Sequence, residues 1–316
     1  MKEIIPVLNT NIINSETLTP EIYTKFIEYI DAKPKTIQTY TRAIRQFKNY
    51  LARENINTPK RSDILSFREN LISTGHKPTT IQNYITIIKL FFQWTAQENI
   101  YPNIAEHIKG ASISKTYKKD YLTSNQVKTV LQNIDRSTTK GKRDYAILVI
   151  MITGGLRTIE VSRANIEDLR TAGNNTVLFI QGKGKDEKQD YVKIPTETET
   201  AIREYLKTRT KIFPEQALFT STSNNNFGQA LSTRSISGIV KQRFRNAGYD
   251  SPRLTAHSLR HTAVTLSLIG GRNPQEVQQF ARHSSIATTM IYAHNLEREN
   301  NKCEATIANA IFQEVL

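Results

Sequence analysis

His257, Arg260, His283 and Tyr292 are the residues whose types and spacing offer most to chemistry. On a helix, positions three apart share a face, so His257 and Arg260 can be aimed at one anion. An arginine grips phosphate through two parallel N–H donors, a geometry that lysine lacks. A tyrosine hydroxyl becomes a covalent nucleophile once the charge of that phosphate is offset. The spacing therefore points to attack by Tyr292 on a phosphodiester held by arginine and histidine. Upstream, Thr153-Gly154-Gly155-Leu156-Arg157 closes the strongly apolar run 145–152. Its two glycines permit a tight turn and close backbone approach to a ligand. Glu160 follows Arg157 by three residues. The glycines and apolar flanks favour a half-buried arginine held by Glu160 over an exposed ion pair of little worth.

The elements that must position these groups are spread over a chain of 316 residues, longer than one typical domain. A net charge of +14 favours a polyanionic partner, and nucleic acid before an anionic membrane, because no amphipathic basic terminus stands out. The plainer alternative is a basic enzyme kept in solution by its lysines. The single cysteine, Cys303, excludes an intramolecular disulfide and fits a reducing cytosol. Neither a signal peptide nor a membrane-spanning run is expected.

Residues 1–18 read as a flexible tail, and residues 19–109 as a helical domain. Thr19-Pro20 starts the first helix, and Ile22, Phe26, Ile27 and Ile30 give it an apolar face. Further helices are expected over about 36–51, 62–74 and 79–98, with another starting at Pro102–Ala105. The run Lys33-Pro34-Lys35-Thr36-Ile37 is echoed 44 residues later by Lys77-Pro78-Thr79-Thr80-Ile81, which suggests two similar helical hairpins. Lys35, Thr36, Lys77, Thr79 and Thr80 suit phosphate contacts at helix N-termini, where backbone N–H groups point outward. Ordinary capping explains the threonines equally well. Residues 110–121 read as a basic linker, and Lys115, Lys118 and Lys119 would lie naturally along a DNA backbone, unless the segment is only a tether.

Residues 122–300 form the second domain. Thr123-Ser124-Asn125-Gln126 has the form of a capping box. Thr176–Ile180 and Asp190–Ile194 read as a β-hairpin whose tip is Gly182-Lys183-Gly184-Lys185. A solvated charged turn is the simplest account of that tip. Helices follow over about 197–208 and 233–247, separated by an asparagine-rich loop. Residues 301–316 carry a short amphipathic helix, with Ile307, Ile311, Phe312 and Val315 on its apolar side. The fold class expected is mainly α with a small β-hairpin or sheet in the second domain.

Four separated segments, taken in order, resemble the tyrosine recombinases, the family of phage integrases and Xer-type resolvases: Gly155-Leu156-Arg157 with Glu160, Gly182-Lys183-Gly184, His257-x-x-Arg260, and His283 with Tyr292. The helical segment 19–109 and the linker are similar to the family's core-binding region. The resemblance implies a two-domain recombinase architecture, with a helical core-binding bundle and a mixed α/β catalytic domain. It also implies roles. Arg157 and Arg260 would clamp the scissile phosphate, and Tyr292 would form a 3′-phosphotyrosyl link. Lys183, with Lys185 as its rival, would protonate the departing 5′ oxygen. His257 would assist proton transfer, His283 would bond the phosphate, and Glu160 would orient Arg157. His261 and His294 are left outside the catalytic set as packing or supporting histidines.

Two departures from the family pattern stand out. Ala281-Arg282 replaces the usual Leu-Gly before His283, which puts the local turn in question while offering Arg282 as a DNA contact. Gly154 stands where threonine is usual. The partners implied are double-stranded DNA recombination sites and a homotetramer on two duplexes, monomeric in solution, with no membrane, metal or other cofactor. The C-terminal helix would dock on a neighbouring protomer, or on its own domain. Integration or excision of a mobile element, Xer-type resolution and DNA inversion all use this core. A type IB topoisomerase-like relaxing enzyme shares its chemistry, and a DNA-binding protein that has lost catalysis would share only its fold.

Overall fold

A computed structural model describes residues 18–112, 120–182, 184–299 and 301–312. Lys115, Lys118, Lys119, Lys183, Val315 and all of the tail but Leu18 lie outside the described residues. The described chain is mainly helical with one three-stranded antiparallel sheet, as the sequence predicts. It divides into two units, one up to residue 112 and one from residue 120.

The first unit is built from α1 (Pro20–Tyr29), α2 (Pro34–Arg53), α3 (Arg61–Ser73) and α4 (Pro78–Gln97). Helices α2 and α4 each span 20 residues and begin with proline after an extended lysine, so the repeated sequence makes a repeated structure. Proline suits the first helical position because its missing N–H would have no partner there. The interior mixes aromatic rings with isoleucine and leucine. The rings of Tyr23 and Phe91 stack at 5.1 Å, and Phe26 meets Phe91 edge-on at 5.2 Å. Phe47 packs edge-on against Phe67.

Residues 104–107 form turns in place of the expected helix. The carbonyls that would continue a helix are taken by side chains: Arg61 bonds the carbonyl of Glu106, Lys89 that of Ile108 (3.3 Å) and Arg68 that of Lys109 (2.9 Å). His107 adopts φ 54°, which ends any helical run.

In the second unit, α5 (Ser124–Gln132) carries the expected capping box, with Gln126 Oε1 accepting from Thr123 N–H at 2.8 Å. Helix α6 (Thr139–Thr153) is the centre of the core, and Ile147, Leu148 and Ile150 on it are fully buried. The short α7 (Thr158–Arg163) leads into the sheet of β1 (Leu169–Ala172), β2 (Asn175–Ile180) and β3 (Asp190–Ile194). The hairpin β2–β3 coincides with the two β-rich runs. Strand β1 was not expected, and it pairs with β2 through a two-residue turn in which Gly173 takes φ 57°. Helices α8 (Thr196–Leu206) and α9 (Thr233–Asn246) complete the core. The chain then enters α10 (Ala256–Ile269), α11 (Pro274–Ala281), α12 (Ile286–Glu299) and α13 (Cys303–Phe312).

Candidate active site

Helix α10 carries His257, Arg260 and His261, whose three- and four-residue spacing turns them to one face. Its start is fixed by Ser258 Oγ, which accepts from Thr255 N–H at 3.0 Å, and Thr262 Oγ1 accepts the Leu122 N–H at 2.9 Å. Arg260 is 2% exposed. Its guanidinium donates to the carbonyl of Gly155 at 2.6 Å and to that of Ala281. Burial, reinforced by the positive charges of Arg157 and Arg282, lowers its pKa to about 10, so it stays cationic at neutral pH.

Arg157 stands immediately before α7. Its Nη1 donates to Glu160 Oε1 at 2.9 Å, and its backbone N–H to Glu160 Oε2 at 2.8 Å. Glu160 is buried, while the Arg157 side chain keeps 29% exposure. The arginine is thus held from behind with part of its guanidinium open to a ligand. Gly155 is needed for this turn. It adopts φ 57°, and a Cβ there would sit 3.1 Å from the Phe280 ring. A groove of about 590 Å³ next to the turn is lined by Arg157, Thr158, Lys241, Thr255 and His257 among others.

The nucleophile candidate arrives on α12. Tyr292 is buried among Val264, Val277 and Ala281, with Leu268 and Phe280 alongside. Its hydroxyl is hydrogen-bonded to His261 Nδ1. The ring lies nearly parallel to His283, 6.3 Å between centroids. His283 Nδ1 pairs with Thr289 Oγ1 at 2.9 Å, one helical turn before Tyr292. Burial first, then the cations Arg260, Arg157 and Arg282, pushes the His283 pKa down to about 4. Its imidazole is therefore neutral at physiological pH.

Arg157, His257, Arg260, His283 and Tyr292 are thus brought together with Glu160 in one unit. Lys183 lies outside the described residues, and its rival Lys185 is exposed at the hairpin tip. Lys188 is taken by buried Asp168 at 2.6 Å. Lys35 and Thr36 in the first turn of α2, and Thr79 in that of α4, are exposed, as is Lys77 just before α4, and Thr80 is half-buried. Arg282, expected to face DNA, turns inward onto Glu160. His261, set aside in the sequence as a packing or supporting histidine, bonds the Tyr292 hydroxyl, a contact the sequence reading did not specify. The available signal was its place one turn after His257, on the face already assigned to chemistry. His294 is exposed and pairs with Glu297.

A model of the Phage integrase family matches residues 120–299, and one for the phage integrase N-terminal SAM-like domain matches residues 21–101. Among similar sequences, a tyrosine recombinase of Synechococcus elongatus is 31% identical over 65% of this chain and 64% of its own length. Tyrosine recombinase XerC of Caldanaerobacter subterraneus is 32% identical over 55% of this chain and 47% of its own length. The chain thus spans about half to two thirds of these two relatives. XerA of Pyrococcus furiosus is 28% identical over 88% of this chain and 90% of its own. Among solved structures, XerH recombinase bound to palindromic difH substrate superposes with a TM-score of 0.69 at 21% identity, covering 85% of this chain and 80% of that one. The Tn1549 transposon integrase with transposon right-end DNA gives 0.68 at 22%, covering 89% and 98%.

Proposed function

The chain belongs to the phage integrase family, and on that premise we propose that it is a site-specific tyrosine recombinase, which cuts and rejoins DNA without a net change in phosphodiester bonds. The observation that carries this reading is the grouping of the Tyr292 hydroxyl with His261, His283 and the cations Arg157 and Arg260. In the reaction, Tyr292 Oη bonds to phosphorus as the bond to the 5′ oxygen breaks. The product is a 3′-phosphotyrosyl link and a free 5′-hydroxyl. Arg157 and Arg260 offset the charge that builds on the non-bridging oxygens. This is charge that a metal ion would otherwise have to meet. Neutral His283 contributes hydrogen bonding without competing for charge, and exposed His257 assists the proton transfers. Lys183 is the general acid at the leaving oxygen.

Because the covalent intermediate conserves the bond energy, a second 5′-hydroxyl can reverse the step on a new strand with no nucleotide consumed. Four protomers on two duplexes exchanging strands through a Holliday junction is the assembly that uses this economy. Helix α13 supports it. Ile307, Ile311 and Phe312 are 58%, 64% and 80% exposed, an apolar face suited to a neighbouring copy. Integration and excision of a mobile element, or Xer-type resolution, is the biological setting of this chemistry. Tyr292→Phe tests the reading. It should bind a cognate nicked duplex as the wild type does and form no covalent adduct, whereas an adduct persisting in that variant would remove Tyr292 as nucleophile.

A further inference from the structure

Arg282 lies within the site, yet the reaction above does not use it. It follows α11 at φ 53°, in the left-handed region, where a side chain with a Cβ is disfavoured relative to glycine. The turn closes normally, with the N–H of His283 returning to the carbonyl of Gln278 at 3.1 Å. The side chain is 13% exposed, and its guanidinium reaches four acceptors. Nη2 meets Glu160 Oε2 at 3.1 Å and the Gly155 carbonyl at 3.3 Å. Nη1 meets the carbonyls of Phe280 at 2.8 Å and Gly154 at 3.4 Å. Its Nε is buried with no partner.

Two of these acceptors are shared with the phosphate arginines. The Glu160 carboxylate also holds Arg157, and the Gly155 carbonyl also holds Arg260. Arg157 and Glu160 by themselves cancel, which leaves Arg260 as the net cation of this described arginine cluster facing a phosphodiester that gains charge on attack. Arg282 adds the second net positive charge. It also reduces the pull of Glu160 on Arg157.

We propose that Arg282 is a positioning residue for strand transfer: by offsetting Glu160 and sharing the Gly155 carbonyl, it keeps Arg157 and Arg260 in place with their charge available to the phosphate. The inference rests on the recombinase chemistry proposed above. Its test uses the full chain and a nicked duplex chosen from a randomised library by covalent trapping with the wild-type protein. Arg282→Gly, suited to the left-handed turn, should form adduct about 10–100-fold more slowly at saturating duplex. Duplex affinity should stay within about threefold, because the guanidinium faces inward. Arg282→Lys restores the charge and should recover most of the rate, and it carries the comparison if the glycine variant fails to fold. In a Glu160→Gln background, where there is no carboxylate to offset, Arg282→Gly should change the rate by less than about twofold.

Wild-type adduct formation by Arg282→Gly overturns the proposal, as does an equal loss in the Glu160→Gln background. Weakened binding with a shallower salt dependence and an unchanged saturated rate also overturns it, by making Arg282 a DNA contact. If the wild type traps no library duplex, the proposed function falls and this inference falls with it. The other failures leave that function standing.

Discussion

Two buried clusters of charge in the second unit are built from the same residue types and do opposite things. In one, Asp144 is 2% exposed and receives two arginine forks. Arg143 donates to Oδ1 from Nε (3.0 Å) and Nη2 (2.7 Å), and Arg243 to Oδ2 from Nε (3.1 Å) and Nη2 (2.5 Å). The remaining Arg143 donor goes to Thr220 and Thr222, and Asp135 acts on Arg243 as a second anion. Counting exposed Asp135, which acts on Arg243 only weakly, cations and anions are equal in number there. In the other, Arg157, Arg260 and Arg282 share Glu160, while Asp190 acts on Arg282 more weakly than Glu160 does. The matched cluster ties α6 to α9, and the unmatched one leaves surplus positive charge, which the proposed reaction places on a phosphate. Charge balance, more than burial, separates a structural network from a site.

The comparison breaks most easily at the matched cluster. Asp144→Ala strands Arg143 in the core and should cost about 3–5 kcal/mol of stability, read as a fall in the urea midpoint. Adduct formation per folded molecule should change little. Arg260→Lys should do the reverse. It keeps one charge and loses the planar fork, so cleavage should fall by about 10²–10³-fold in single-turnover assays with a modest change in urea midpoint. His261→Phe removes the hydrogen-bond partner of the Tyr292 hydroxyl and should slow adduct formation about tenfold, the worth of one hydrogen bond.

The smallest effect concerns pH. The folded His283 pKa, about 4, lies below its ordinary 6.5, so between these values the unfolded chain holds a proton that the folded chain rejects. The stability linked to His283 is complete above pH 6.5 and is lost as pH falls toward 4. Replacement by Gln should flatten that part of the urea-midpoint profile.

Much of this was legible in the sequence because it is local. The proline starts of α2 and α4, the capping box at Thr123 and the alternation of β2 and β3 are each decided within a few residues. So is the pairing of Arg157 with Glu160, three positions apart. What was not legible depends on distant contacts. The turns at 104–107 exist because Arg61, Arg68 and Lys89 reach across to their carbonyls. Strand β1 has little β-forming character and is recruited by its neighbour. His261 meets Tyr292 across 31 residues, and Arg282 meets Glu160 across 122. No periodicity encodes such meetings. Arg282 read as a surface cation because an arginine after a helix usually is one.

In the proposed reaction the oxygen of residue 292 takes the phosphate. Trapping the wild-type protein on a nicked cognate duplex, digesting with nuclease and protease, and sequencing the modified peptide by mass spectrometry tests it directly. A nucleotide 3′-phosphate is expected on the peptide containing Tyr292. The same mass on a peptide from elsewhere in the chain would contradict it.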